Sequence, residues 1–377
     1  MSAGLKNKLL VIFVLIISLF FAEVFCRFFY NKINEHRRLV VDLALTSRFN
    51  AFAELEHPPK ITPSPYTLFQ LTSNYKGNFR TNSLGYRGDE FTLVKDKDYL
   101  RILTLGGSTT YGATVDDINE TWPLQVQKLL NNYGYRNIQV INGGVESAAS
   151  PEILSSWIYK HRKLKPDIVI LNMGINDIWP ILLTRDFSDD YSSFRMSQSF
   201  FRPPSWFQFL LRNSFFLRTI WIVIYSRSNS NVNGSPYAQA IDNDLIQSEL
   251  ISKEVTKRSH IKNYVFKNNF EYLIRLLQMD KIKIFVVFEP SMTLEQMKNK
   301  PSILVHNIEL PWLTIKRNNE ELMKEVSRLY GVLNFTIPPE DFKPDMFTDW
   351  YHTTAEGELL KAKHVTNGII KTGFLSK

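Results

Sequence analysis

From Leu100 to the carboxyl terminus, short apolar runs alternate with longer stretches in which apolar residues recur every three or four positions. The short runs predict β-strands at 101–105, 138–142, 167–173, 282–288 and 332–335. The longer stretches predict helices at 122–133, 151–164, 242–279, 317–330 and 354–371. Alternating strands and helices are typical of a parallel sheet covered by helices on both faces. The pattern therefore predicts an α/β fold, a three-layer α/β/α sandwich.

The amino terminus departs sharply from this pattern. Residues 9–22 form a run that is apolar apart from Ser18 and continues past Glu23 to Cys26. A helix needs about 20 apolar residues to cross a bilayer, so residues 1–27 predict a transmembrane anchor. A cleaved signal peptide is the alternative, since Lys6 and Lys8 precede the run. The small-x-small pair that marks cleavage is missing before Arg27, which favours an uncleaved anchor.

The rest of the chain divides into three parts. Residues 28–97 are polar and rich in proline and glycine turns, and predict a stalk followed by lead-in elements. Residues 98–377 form the main domain. Within it, the aromatic-rich stretch 179–235 is too long for a connection and predicts an insertion.

One part of the insertion, residues 206–225, is mostly apolar. It carries Arg212 and Arg218, and a charge in the middle of a span costs about 2.5–3.5 kcal/mol on insertion scales. We therefore do not expect a second transmembrane span. Two interpretations remain open, a helix that packs on the core or caps the site, and a membrane-skimming helix beside the anchor.

Composition narrows the classes of function. Of the 377 residues 44% are hydrophobic, which excludes a disordered chain. The net charge of +8 favours anionic surfaces such as lipid headgroups but is too diffuse to indicate nucleic acid. A single cysteine excludes an intramolecular disulfide and a cysteine-rich metal site. Phosphate-loop and dinucleotide-binding glycine motifs are missing from the sequence, so we expect no nucleotide cofactor.

Most histidines carry no signal for a metal. Six of them lack spaced Asp, Glu or His partners, and we place these in the stalk, on polar helix faces or in loops: His36, His57, His161, His260, His306 and His364. The charged run 160–165 predicts a solvated helix end. We therefore expect no metal.

Polar side chains follow the first and third predicted strands. The first strand leads into Gly106-Gly107-Ser108, where two glycines allow a tight turn that presents the serine hydroxyl. The third leads into Asn176, whose amide could donate to a developing oxyanion. Carboxyl ends of parallel strands meet at one edge, where such sheets bind ligands.

A third polar element lies in the loop before the last helix. Asp349 and His352 are three residues apart, which would bring them onto one side of a helical turn. A carboxylate there can accept from one imidazole nitrogen and leave the other free to act as a base. A lone pair of this kind is usually structural, but three such polar elements at three strand ends of one sheet indicate a site.

These blocks resemble the SGNH hydrolases, also called GDSL-type esterases and lipases. The counterparts here are Gly107-Ser108, the segment 142–147, the block 174–177, and Asp349 with His352. The segment 82–88, with the sequence Asn-Ser-Leu-Gly-Tyr-Arg-Gly, is similar to a lead-in of membrane-anchored bacterial members. Gly107 replaces the usual aspartate, as in a Gly-Gly-Ser branch. The resemblance implies a flavodoxin-like sheet.

The resemblance also implies roles. Ser108 is the nucleophile, His352 the base and Asp349 its partner. The oxyanion would be held by the backbone N–H groups of Ser108 and Ser147 and by the side chain of Asn176. Ser147 stands where the family has a glycine, so it can donate only if the turn does not demand positive φ, and Gly144 is a possible substitute.

The function that follows is a membrane-anchored serine esterase acting on an O-acyl ester of a glycan or a lipid. It would need no cofactor and bind no nucleic acid, and the sequence carries no signal for an oligomeric state. Two alternatives stay open: an O-acyltransferase that modifies a polysaccharide, and a non-catalytic glycan-binding or assembly module on the same fold.

The orientation in the membrane has two opposing signals. Cationic residues after the apolar run outnumber those before it, which by the positive-inside rule keeps the globular part in the cytoplasm. A large following domain can be translocated despite its charges, and an apolar amino-terminal segment before a hydrolase-like domain usually serves export. We therefore expect a single-pass protein with an extracytoplasmic catalytic domain.

Overall fold

The structure is a computed structural model and describes residues 3–35, 60–76, 79–183, 190–191, 210, 213–217, 219–220, 256–299 and 308–375. It contains two compact units. One comprises Met1–Pro59 and Ser197–Gln239, and the other comprises Lys60–Met196 and Ala240–Lys377. The stalk at 36–59 and most of the predicted insertion at 179–235 lie outside the described residues.

The first unit contains one long helix, α1, at Ala3–Glu35. Within the described residues, Lys6–Phe28 is the helical stretch long and apolar enough to cross a membrane, with a mean hydropathy of 2.9. Its 23 residues would measure about 35 Å, against a hydrocarbon core of about 30 Å. Length and composition therefore allow a span, and a signal sequence would pass the same test.

The second unit opens with a small antiparallel hairpin. Strand β1 at Ile61–Ser64 pairs with β2 at Leu68–Leu71. Alternate residues of β2, Phe69 and Leu71, are buried, as expected for a strand with one face on a core.

A five-stranded parallel sheet forms the centre of this unit. Its strands are β3 Leu100–Gly106, β4 Ile138–Asn142, β5 Ile168–Asn172, β6 Lys283–Phe288 and β7 Leu333–Thr336. The spatial order is β4-β3-β5-β6-β7, with every pair parallel. Counted within the sheet this order is 2-1-3-4-5, the flavodoxin-like arrangement. The chain first adds β4 on one side of β3 and then adds β5, β6 and β7 on the other side. The point at which the order of strands reverses therefore lies between β3 and β5.

Helices connect these strands. They are α2 Ser108–Tyr111, α3 Trp122–Asn132, α4 Ser150–Ser156, α5 Trp179–Leu183, α6 Tyr264–Met279, α7 Leu294–Asn299, α8 Glu309–Leu329 and α9 Ala355–Lys371. Helices α3 and α9 pack together over one face of the sheet, and α4, α6 and α8 over the other. Ile284 of β6 joins the core of Phe266 and Phe270 from α6, whereas Phe285 lies beside Gly368 of α9.

The predicted α/β fold is confirmed, and each predicted strand lies within two residues of an observed one. Helix α8 begins eight residues before the predicted start, because Pro311 is tolerated in a first turn and Trp312 is buried. The predicted helix at 151–164 is interrupted by a π turn at Trp157–His161, whose first and last residues are both buried.

Candidate active site

Ser108 lies in a sharp turn at the carboxyl end of β3, where it opens α2 and is 8% exposed. Close packing requires the first of the two preceding glycines. A Cβ at Gly106 would lie 2.1 Å from the carbonyl oxygen of Asn172, so only glycine lets the backbone of this turn lie against the end of β5. A Cβ at Gly107 would lie 2.3 Å from Nδ2 of Asn176, so a larger residue there would require that side chain to shift.

His352 and Asp349 reach Ser108 from the loop between β7 and α9. Nε2 of His352 lies 2.7 Å from Oγ of Ser108, and Nδ1 lies 2.6 Å from Oδ2 of Asp349. The loop is not the helical turn that the spacing predicts, because a β-bridge between Phe347 and Thr353 closes it. The three side chains therefore form one continuous chain of hydrogen bonds.

Asp349 is held in place by more than the imidazole. Its Oδ1 accepts from the backbone N–H groups of Tyr351, at 2.9 Å, and of His352, at 2.8 Å. Burial alone would raise the pKa of Asp349, but the hydrogen bond and charge of His352 and these two N–H groups outweigh it and lower the pKa below 3.8. An ionised Asp349 favours the tautomer with its proton on Nδ1, which leaves Nε2 free to accept the Ser108 proton.

Asn176 lies at the end of β5 beside the nucleophile turn. It is 4% exposed, and its Nδ2 donates to the carbonyl oxygen of Ala148 at 2.8 Å. This contact ties Asn176 to the loop that carries Ser147.

Ser147 has φ +66°, in the left-handed region that favours glycine. We expected a serine at this position to donate its N–H only if the turn did not demand a positive φ. The turn does have a positive φ, and Ser147 adopts it. The N–H of Gly144, the possible substitute, donates to Oδ1 of Asn142 at 3.0 Å.

Arg87, from the lead-in segment 82–88, is fully buried below the nucleophile helix. Its guanidinium donates to the carbonyl oxygens of Tyr111, at 3.1 Å, and of Gly112 and Val115. Carbonyls at a helix carboxyl terminus lack intrahelical partners and carry partial negative charge. The lead-in therefore fixes the end of the short helix that begins with Ser108.

A buried ion pair lies on the other side of the same turn. Nζ of Lys361, on α9, contacts Oε2 of Glu289 at 2.5 Å and the carbonyl oxygen of Thr109 at 3.1 Å. Glu358, one turn earlier on α9, accepts from Oγ1 of Thr353, which follows His352. Helix α9 thus braces the serine turn and the histidine loop together.

Asp177, next to Asn176, is fully buried. Its Oδ1 accepts from the hydroxyls of Ser150, at 2.5 Å, and Tyr191, at 3.1 Å, and both oxygens accept from the N–H of Ser150. Burial raises the pKa of Asp177 to about 6 in spite of these donors. Because Ser150 opens α4, Asp177 fixes the start of that helix relative to the end of β5.

The predicted solvated end at 160–165 is wrong for its first two residues. Nδ1 of His161 lies 2.9 Å from the Tyr86 hydroxyl, and Nζ of Lys160 donates to the carbonyl oxygen of Gly85 at 3.0 Å. Burial lowers the pKa of His161 well below 6.5 and that of Lys160 to about 8. The lead-in covers this helix end and shields it from water. Among the described residues no group of three His, Cys, Asp or Glu side chains could hold a metal.

Sequence reasoning gave no role to four of these residues, Arg87, Asp177, Glu289 and Lys361. The sequence did offer a signal that two of them lie near the site. Glu289 directly follows a buried strand, and Asp177 lies inside the block 174–177. Lys361 lies on the buried stripe of α9, which a strict apolar pattern would have flagged as anomalous.

Comparison with known proteins gives a limited result. No protein-family model and no curated protein match the chain. Among solved structures, a lipase/acylhydrolase from Enterococcus faecalis is 15% identical with a TM-score of 0.41, covering 73% of this chain and 97% of that one. A GDSL-like lipase from Bacteroides thetaiotaomicron is 13% identical with a TM-score of 0.39, covering 74% and 91%.

An acetylxylan esterase from Geobacillus stearothermophilus, crystallised as a catalytic mutant, is 12% identical with a TM-score of 0.41, covering 74% and 96%.

The buried carboxyl of Asp177 predicts a pH-dependent stability difference. Between pH 3.8 and about 6 the folded protein holds a proton that the unfolded chain has lost, so Asp177 lowers stability as pH rises through that window. We expect the unfolding free energy of Asp177→Asn, relative to the native chain, to rise by about 2 kcal/mol from pH 4 to pH 7. Urea titrations at both pH values measure it, and an unchanged difference would contradict a carboxyl that is protonated at pH 4 to 5.

Proposed function

We propose that this chain is a membrane-anchored serine esterase of the SGNH type that hydrolyses an O-acyl ester of a glycan or lipid. The observation that carries the proposal is the hydrogen-bonded chain from Ser108 through His352 to Asp349, with distances of 2.7 and 2.6 Å. These lie in the range in which a base can accept a proton directly from a nucleophile.

In the proposed reaction, Oγ of Ser108 attacks the ester carbonyl carbon while Nε2 of His352 takes the hydroxyl proton. The resulting oxyanion accepts hydrogen bonds from the backbone N–H groups of Ser108 and Ser147 and from Nδ2 of Asn176. When the intermediate collapses, His352 returns its proton to the departing alkoxide, and the acyl group remains on Ser108. Water then attacks the acyl-enzyme with His352 again as base, which releases the carboxylic acid and restores the serine.

The lowered pKa of Asp349 supports its role as the partner of the imidazolium that forms in both steps. Asn176 would exchange its present acceptor, the carbonyl oxygen of Ala148, for the oxyanion. An O-acyltransferase would use the same residues with a sugar hydroxyl in place of water. Measuring acyl release with and without a sugar acceptor separates these two reactions.

Ser108→Ala tests the nucleophile. The variant should lose turnover of short p-nitrophenyl esters, because alanine has no hydroxyl to form the acyl-enzyme, while its thermal melting stays close to that of the native chain. Ser73→Ala, which alters an exposed serine, is the matched control and should keep native turnover. Comparable rates for Ser108→Ala and the native protein would rule out Ser108 as the nucleophile.

Asp349, the proposed acid of the triad, can be tested with Asp345 as a nearby control. Asp349→Asn favours the wrong imidazole tautomer and should lower kcat, by up to about 10⁴-fold in the general triad template. Asp345→Asn alters an exposed carboxylate seven residues before His352 and should lose little activity. With both variants folded, a larger loss in Asp345→Asn would require a different partner for His352.

Ser147→Gly tests whether that residue acts through its backbone. The glycine keeps the N–H and relieves a left-handed conformation that costs a non-glycine residue roughly 1–2 kcal/mol. We expect native kcat and a higher melting temperature. Ser147→Ala keeps the strained φ without the hydroxyl, and should match the native chain in both measurements. A loss of turnover in both variants would show that the hydroxyl itself is needed.

For the anchor, we propose that α1 stays in the mature protein and that the catalytic unit lies outside the cytoplasm. Its described side chains within Lys6–Phe28 have the apolar character of a lipid-facing helix. Membrane-fraction protein should resist carbonate extraction and retain the α1 residues in its intact mass. Release into the carbonate wash, or a mass lacking the amino terminus, would contradict an uncleaved anchor.

A further inference from the structure

Glu23 is the acidic residue inside the apolar stretch Lys6–Phe28, and it is engaged by a second helical segment. Its Oε2 accepts from the hydroxyl of Ser214, at 2.8 Å, and from the N–H of Phe216, at 2.9 Å. Its Oε1 accepts from the N–H of Phe215 at 2.9 Å. Both segments belong to the first compact unit.

The three contacts complete the cap of this second segment. Oγ of Ser214 also accepts from the N–H of Leu217, at 3.1 Å. Glu23 and Ser214 together therefore satisfy the N–H groups of Phe215, Phe216 and Leu217. The first N–H groups of a helix have no intrahelical partner, and a carboxylate at this end also complements the helix dipole.

Such a cap has a particular value where water is scarce. Water can satisfy the end of a helix on a protein surface, but in a bilayer each unsatisfied N–H costs several kcal/mol. Arg27 lies nearby, with Nη2 3.5 Å from Glu23 and its guanidinium 4.9 Å from the ring centre of Phe215. The carboxylate is thus used for hydrogen bonds and partly balanced by a cation.

The position of Glu23 sets the depth of this contact. It lies five residues before Phe28, or about 7.5 Å along the helix from the end of the apolar stretch. Interfacial helices bury their apolar face by about 5–10 Å, so the two depths agree. By sequence, residues 215–225 are apolar apart from Arg218 and Thr219.

We infer that the segment beginning at Ser214 is a second lipid-contacting element, docked on α1 by Glu23 at the boundary between acyl chains and headgroups. Its partner is the bilayer surface, so the insertion is membrane-associated as in the second of the two sequence interpretations. The inference rests on the membrane anchoring proposed above. The protein would then contact the membrane through two segments, α1 and the segment beginning at Ser214.

Lipid exposure of single labelled cysteines tests this in the full chain. Cys26→Ser removes the only cysteine, and the protein is reconstituted in phosphatidylcholine vesicles with and without brominated acyl chains. An environment-sensitive NBD label is placed at Ile220, an exposed residue of the second segment. Labels at Phe13, within the apolar stretch, and at Val94, an exposed residue of the catalytic unit, are the positive and negative controls.

We expect the labels at Ile220 and Phe13 to lose fluorescence in brominated vesicles and the label at Val94 to keep it. An unquenched Ile220 label beside a quenched Phe13 label would overturn the inference and leave the anchor standing. If the Phe13 label is also unquenched, both the anchor and the inference are wrong.

The docking role of Glu23 needs its own variants. Glu23→Leu removes the acceptor but keeps α1 apolar, so quenching at Ile220 should fall while quenching at Phe13 persists. Ser18→Leu makes the same polar-to-leucine change elsewhere in α1 and should alter neither label. Full quenching at Ile220 in Glu23→Leu would overturn Glu23 as the docking residue.

Discussion

All five strands of the central sheet run parallel, and this single constraint brings the candidate site together. Because each strand ends at the same edge, residues far apart in the sequence emerge side by side. Ser108 follows β3 and Asn176 follows β5, the two strands that flank the switch point of the sheet. His352 enters the same edge from the loop after β7, 244 residues beyond Ser108, and closes a 2.7 Å contact with it.

Placing catalytic groups within tenths of an ångström needs more than a shared edge, and buried charges supply the extra order here. Arg87 binds the carbonyls at the end of α2, the short helix that begins with Ser108, and Lys361 binds the carbonyl of Thr109, the residue after Ser108. Buried charges have a large desolvation cost, so they are weak evidence for stability. Their distribution on both sides of the Ser108 turn is better explained by the precise positioning of that turn.

Part of the fold and of the candidate site could be predicted from the sequence, because the pattern of apolar residues indicates the order of the strands and helices and where each strand ends. That pattern predicted the edge on which Ser108, Asn176 and His352 lie together. It could not predict the pairing of Glu289 with Lys361, since a contact across 72 residues depends on how α9 packs. The prediction that Lys160 and His161 lie at a solvated helix end was wrong because it also depends on a contact between distant residues. Only the fold shows that Tyr86 covers His161. The residue type at Ser147 likewise does not predict its positive φ, because serine rarely adopts that conformation.

The central claim is that Ser108 is an activated nucleophile, as opposed to an idle serine on a binding module. A fluorophosphonate probe reacts with a serine only when a neighbouring base takes its proton, so labelling of the full-length protein followed by peptide mass spectrometry tests the claim directly. The account predicts one adduct, on Ser108, that disappears in His352→Ala. A folded native protein that remains unlabelled, or that is labelled at another residue, would contradict it.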